Sequence, residues 1–160
     1  MIRWAILCAV CALPVQAETL YFACDFGSDR SVSVTHTDTQ AVYDFRHPTN
    51  SLRLTRDVTD VHLTPWPGVG RTIWEEVIFT NAGVQYLVYA SIDRIPPEDE
   101  TDEIETQLSG GIRVSRGETL FGELTCQPDT IDFPWGSGLY DAKTAAGQCY
   151  DTSSREWSDC

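Results

Sequence analysis

The sequence predicts an all-β protein, a single antiparallel barrel of seven to nine strands, and three observations carry that prediction. Apolar residues alternate at period two in short runs, the runs recur about every ten residues with turn-forming residues between them, and no helical period is visible. The clearest run spans residues 73–92, IWEEVIFTNAGVQYLVYASI, and reads as one β-hairpin. Val84, Tyr86, Val88, Ala90 and Ile92 share a face, and Ile73, Val77 and Phe79 do the same on the incoming strand, with Glu75 as the exception. Asn81-Ala82-Gly83 reads as a three-residue turn with Gly83 left-handed, because glycine takes positive φ without steric cost. The opposite face carries Trp74, Ile78, Leu87 and Tyr89, which places the pair inside a sheet rather than at its edge.

Taken in order, residues 1–17 have the pattern of a cleaved signal peptide. Arg3 supplies the positive start, residues 4–13 an apolar run, and Val15-Gln16-Ala17 a small-x-small cleavage site. Neither Cys8 nor Cys11 follows the leucine, small, small pattern of a lipid-attachment cysteine. The apolar run is too short to span a bilayer and no later stretch approaches ~20 apolar residues, so a periplasmic or secreted chain without a transmembrane segment is expected.

The first domain is expected over residues 18–127. Residues 20–26 alternate and stop at Gly27-Ser28-Asp29-Arg30. Residues 31–37 alternate again with Val32, Val34 and His36 on one side; Ala41, Tyr43 and Phe45 mark a third strand, Leu52 and Leu54 a fourth, Val61 and Leu63 a fifth. The loop Pro65-Trp66-Pro67-Gly68-Val69-Gly70-Arg71 follows, unable to pair as a central strand because its prolines lack the N–H donor. Beyond the hairpin, Glu98, Asp99, Glu100, Asp102, Glu103 and Glu105 read as a solvated acidic loop; they lack the Asp-x-Asp-x-Asp-Gly spacing of a calcium loop. A last hairpin covers residues 112–126, with Leu120, Gly122, Leu124 and Cys126 inward and Gly122 at a bend. Residues 128–160, rich in proline and glycine with Phe133, Trp135 and Tyr140 between, read as an irregular tail packed on the barrel.

If the leader is removed, Cys24, Cys126, Cys149 and Cys160 remain, an even number in an oxidising compartment. Three pairings are possible, and position favours Cys24–Cys126 with Cys149–Cys160. Cys24 shares a face with Leu20, Phe22 and Phe26, and Cys126 with Leu120 and Leu124, so both thiols point into one core and tie the first strand to the last. A loop of about 100 residues closed this way contributes on the order of 4–5 kcal/mol in the chain-entropy model. The spacing is not that of a zinc ribbon.

Charge narrows the partners. Removing Arg3 leaves 11 − 1 = 10 basic against 24 acidic residues, a net charge of −14. Nucleic acid and anionic membranes need a positive footprint, so the charge argues against both; a cationic partner is suited, as is plain solubility. No catalytic motif is present: no Gly-x-Ser-x-Gly, no phosphate-binding glycine loop, no His-Glu-x-x-His. Glu75 and Glu76 point to opposite faces of a strand, and an inward Glu75 is expected to pair with an arginine such as Arg71 or Arg113. His36, His47 and His62 lack ligand spacing, so no metal or cofactor is expected. Trp66 between two prolines is either a stiff exposed anchor for a partner or a plug over the barrel mouth.

Tyr21-Phe22-Ala23-Cys24, the stretch 70–87 with Phe79 and Gly83, and LFGELTCQ at 120–127 together resemble the family of membrane-bound inhibitors of c-type lysozyme and their periplasmic relatives. The resemblance covers residues 21–127 and implies an eight-stranded antiparallel barrel that blocks the lysozyme cleft with a loop. Where that family carries Ser-Gly-x-x-Tyr, this chain has Val69, Gly70 and Ile73, and the family's hairpin lysine falls at Ala82. The expected function is therefore that of an exported, monomeric, non-catalytic binding protein for a c-type lysozyme or other cationic protein. Trp66, Val69, Gly70, Arg71, Trp74 and Ala82 are its expected contact residues. A barrel that binds a small ligand, or a purely structural periplasmic domain, is the alternative.

Overall fold

The computed structural model describes residues 17–97 and 104–160. The leader through Gln16 and residues 98–103 of the acidic loop lie outside the described residues. Each period-two run becomes a strand. β1 (Thr19–Gly27), β2 (Arg30–His36), β3 (Gln40–Arg46) and β4 (Leu52–Asp57) pair in that order as one antiparallel sheet. β5 (His62–Thr64), β6 (Thr72–Asn81), β7 (Val84–Ile95), β8 (Glu105–Arg116) and β9 (Thr119–Thr125) form a second, and β10 (Gln148–Asp151) with β11 (Glu156–Asp159) a separate hairpin.

The expected closed barrel is not formed, and both seams show why. At one, the chain leaves β4 through a single 3-10 turn, Val58–Asp60, whose Val58 N–H donates to the Thr39 carbonyl (2.9 Å), and re-enters in the other sheet. A side chain stands there in place of a ladder: the Arg56 guanidinium donates to the Thr80 carbonyl (2.9 and 3.2 Å). At the other seam the chain follows β8 until Cys126 N–H reaches the Gly110 carbonyl (3.0 Å), then crosses to β1. Gln127 N–H donates to Asp25 O, and Ala23 and Asp132 exchange both backbone bonds, all at 2.8 Å. The expected Cys24–Cys126 bond fastens that crossing, with the Cα atoms 5.8 Å apart; Cys149–Cys160 is also formed.

One core lies between the two sheets. The Tyr43 ring of β3 sits 5.7 Å from Phe79 of β6 and 5.6 Å from Tyr86 of β7. Phe22 presses on Gly110 of β8, where an added Cβ would lie 3.0 Å from that ring and 2.9 Å from the Tyr89 carbonyl, so glycine alone permits the approach. Two bulges alter the expected faces. The ladder skips Tyr21, which lets both Tyr21 and Phe22 be buried. It also skips Phe121, and the extra residue turns Leu120 and Phe121 outward, so Leu120 is exposed rather than inward as expected. The central hairpin is shorter-turned than expected: Asn81 pairs with Val84, leaving Ala82 (φ 48°) and Gly83 (φ 77°) as a two-residue turn, both left-handed.

The C-terminal region is not irregular. α1 (Leu139–Ala145) begins after Gly138 and buries Leu139, Ala142 and Lys143, an i, i+3, i+4 stripe too brief to register as a period. Lys143 fixes its place. Almost wholly buried, its Nζ donates to the carbonyls of Val58 (2.8 Å) and Val61 (2.6 Å) and lies 4.7 Å from the Trp157 ring centroid. Burial lowers its pKa to about 8, which still leaves the ammonium charged at neutral pH. His36 Nε2 adds a bond to the Ser137 carbonyl (2.9 Å).

Lys143→Met keeps the volume but leaves two carbonyls without donors; a loss of about 3 kcal/mol in chemical denaturation is expected, with proteolysis beginning in the C-terminal region. Ala82→Gly relieves a left-handed alanine and is expected to raise stability by about 0.5–1 kcal/mol, read as an increase in Tm.

Candidate functional site

Pro65 creates the site. β5 pairs with β6 from His62 opposite Ile78 to Thr64 opposite Glu76, and the next residue has no N–H to continue. Beyond that point β6 has no neighbour on this side, and Trp74 and Glu75 face the space a longer β5 would have filled. That space is a cleft of about 400 Å³. The loop supplies Trp66; Trp135, Tyr140 and Tyr150 come from the C-terminal region.

The walls are braced from behind. Trp66 and Trp135 meet edge to face, centroids 5.8 Å apart at 80°. Tyr140 and Tyr150 each pack on Trp157 (5.1 and 5.2 Å), whose indole N–H donates to the Leu63 carbonyl (2.6 Å). Arg94 of β7 clamps the loop: its guanidinium donates to the carbonyls of Gly70 (2.8 Å) and Arg71 (2.7 Å) and lies 5.9 Å from the Trp66 centroid. The Trp66 indole N–H closes the loop on itself by donating to Val69 O (3.0 Å).

Glu75 is the carboxylate of the cleft, and Arg155 its one lining cation among the described residues. Burial pushes its carboxyl above the usual carboxylate range, with Tyr21 and Trp135 partly opposing the shift. The buried Tyr21 hydroxyl lies close to it, outside well-formed hydrogen-bond geometry. The expected arginine partner is absent: Arg113 pairs with Glu123 (2.9 Å) over the Tyr89 ring, and neither it nor Arg71 reaches Glu75. Among the described residues no cation lies within ion-pair distance of Glu75.

The structure brings together most, not all, of the expected contact residues. Trp66 and Trp74 line the cleft, Trp66 half-buried. Val69, 71% exposed, and Gly70 form the loop's tip, with Arg71 exposed beside them. Ala82 lies at the far end of β6, on the order of 30 Å away along the strand, and shares no surface with them. Trp135, Tyr140 and Tyr150 were not expected here. Their signal is chemical: aromatic residues in a stretch rich in proline and glycine must pack on something.

A second cleft, about 520 Å³, opens where the sheets part at the opposite end, lined by Phe45, Leu52, Tyr86, Val114, Phe121 and Leu124 among others. Among the described residues no group of His, Cys, Asp and Glu has the arrangement of a metal site, and no helix is long and apolar enough to cross a membrane. No family model, curated protein or solved structure matches this chain.

Glu75 makes stability depend on pH. An acid whose pKa is higher folded than unfolded holds its proton longer in the native state. Its unfavourable contribution is absent well below the ordinary value of 4.5, grows as pH rises from there toward the folded value, and is constant above it. Glu75→Gln is therefore expected to melt above the parent at pH 7, and the two curves to converge as pH falls to about 4.

Proposed function

We propose that this chain is an exported, non-catalytic binding protein that engages a cationic protein partner through loop 65–71. The observation that carries the reading is a protruding loop held rigid from below: Arg94 bonds two of its carbonyls and stacks on its tryptophan, while Val69 stands in solvent at the tip. A pre-formed loop loses little conformational entropy on docking, and an exposed apolar tip beside aromatic rings is what an interface anchor requires. The acidic balance of the chain favours a basic partner and speeds encounter with it at low salt. A c-type lysozyme is the partner that the sequence resemblance implies, with Val69 and Ile73 in place of the family's serine and tyrosine.

A second reading has its own support. The cleft between the parted sheets is apolar and of a size that takes a small ligand, so the chain would act as an envelope carrier of an apolar molecule.

Surface plasmon resonance of the purified protein over immobilised c-type lysozyme tests the first reading. Binding at micromolar concentration or tighter is expected, with an association rate that falls as salt rises. Trp66→Ala should weaken it about tenfold, equivalent to ~1.4 kcal/mol, and Val69→Asn, which removes the exposed apolar tip, should weaken it without moving Tm. No binding and no loss of muramidase activity at micromolar excess would remove lysozyme as the partner.

A further inference from the structure

We propose that the cleft beside loop 65–71 is a binding site for an organic cation, an alkylammonium or guanidinium group held between tryptophan and tyrosine faces over the Glu75 carboxylate. The inference deepens the proposed function and rests on it for the location of the binding face, while its chemistry comes from the cleft alone.

Three features argue for this class of ligand. The first is shape: Trp66 and Trp135 stand nearly perpendicular at 5.8 Å, and Tyr140 and Tyr150 are both backed by Trp157, so π faces and edges surround one volume of about 400 Å³. Aromatic walls on several sides suit a cation, which is attracted to each ring face from within about 6 Å. The second is the partly buried carboxylate. Glu75 lines the cleft with no ion-pair partner among the described residues, and the buried Tyr21 hydroxyl close to it is outside well-formed hydrogen-bond geometry. A desolvated carboxylate lacking a cation gains most from one brought by a ligand. The third is that the fold already seats cations on aromatic rings in this region: Arg94 over Trp66, a ring of the cleft, at 5.9 Å, and Lys143 over Trp157, the ring on which Tyr140 and Tyr150 pack, at 4.7 Å.

Arg155 stands on the rim, on the turn between β10 and β11, and forms no ion pair with Glu75. An anion would have to face Glu75 across the cleft with that one exposed arginine as its counter-charge, and a neutral ligand would leave the carboxylate unpaired. A saccharide stacked on the tryptophans is the competing chemistry, and it is a stated outcome below.

The test is intrinsic tryptophan fluorescence of the purified protein, titrated with choline, with its uncharged isostere 3,3-dimethyl-1-butanol, with N-acetyl-arginine amide and with a neutral N-acetylglucosamine oligomer. Saturable binding of choline or the arginine derivative is expected, with the isostere at least about tenfold weaker, and with Glu75→Gln weakening the cation about tenfold. Tighter binding of choline would assign the cation to a free quaternary ammonium compound; tighter binding of the arginine derivative would assign it to a side chain of a protein partner. The circular-dichroism melt of Glu75→Gln at pH 7 separates lost binding from lost folding, and Trp135→Leu gives a second variant among the aromatic rings of the cleft. Equal affinity for the isostere, an unchanged Glu75→Gln, or preferential saturation by the saccharide would overturn the proposal. The lysozyme measurement is independent: cation binding without a protein partner would leave this site standing and sink the proposed function, and the reverse result would do the opposite.

Discussion

The outer edge of β1 is the constraint on which the rest of the molecule depends. β1 has β2 on one side only, and an edge of unpaired backbone groups next to a second sheet is unstable until something satisfies it. The chain supplies that partner from its own continuation. At Cys126 it stops following β8 and crosses to Asp25 and Ala23, and the Cys24–Cys126 bond holds the crossing in place. Because the loop enclosed is long, the bond removes much of the freedom of the unfolded chain as well as joining the sheets. The same crossing sets the position of Asp132 and, through the packing of Phe133 on Tyr21, of everything that follows.

The candidate site is a consequence of that geometry. One of its walls belongs to the strand that Pro65 cuts short; the other belongs to a segment that reaches the place only after the seam is made and α1 has docked. Lys143 makes the docking specific, since a buried ammonium is tolerated only where several acceptors meet it, and the Val58 and Val61 carbonyls are free because the chain is changing sheets there. A change of sheet thus provides the acceptors, the lysine finds them, and Tyr140, packed on Trp157, is carried into the cleft that Trp66 lines.

Electrostatics give the site its character. A carboxyl at Glu75 sits where the strand pattern calls for an apolar residue, and it disturbs the fold it belongs to. A residue that weakens its own scaffold at a position open to a cleft is the kind of local inconsistency that binding sites carry. Among the described residues no positive charge stands at ion-pair distance from it, so no ion pair offsets the cost of burying the carboxylate.

The sequence by itself determined what local chemistry can determine. Alternation located the strands of the two sheets except the first half of β8, where Glu105 reads as part of the acidic loop and residues 106–111 are not assigned to the strand; Pro65 and Pro67 marked the break after β5, Gly83 marked the hairpin turn, and the pairing of Cys24 with Cys126 was legible as a link from first strand to last. The exception at Glu75 was also legible, because one charge in an apolar face breaks a period of two. Tertiary structure decided the rest. Whether two sheets close into a barrel depends on hydrogen bonds between residues 100 apart, and here a 3-10 turn at one seam and a crossing segment at the other take the place of ladders. The bulges at Tyr21 and Phe121 shift faces by one residue, a displacement that alternation read from either side cannot register. Above all, the aromatic wall of the cleft comes from a stretch whose helix is two turns long and whose anchor is a lysine, a residue ordinarily read as solvent-facing; its burial is favourable only because two backbone carbonyls from a distant part of the chain are waiting for it.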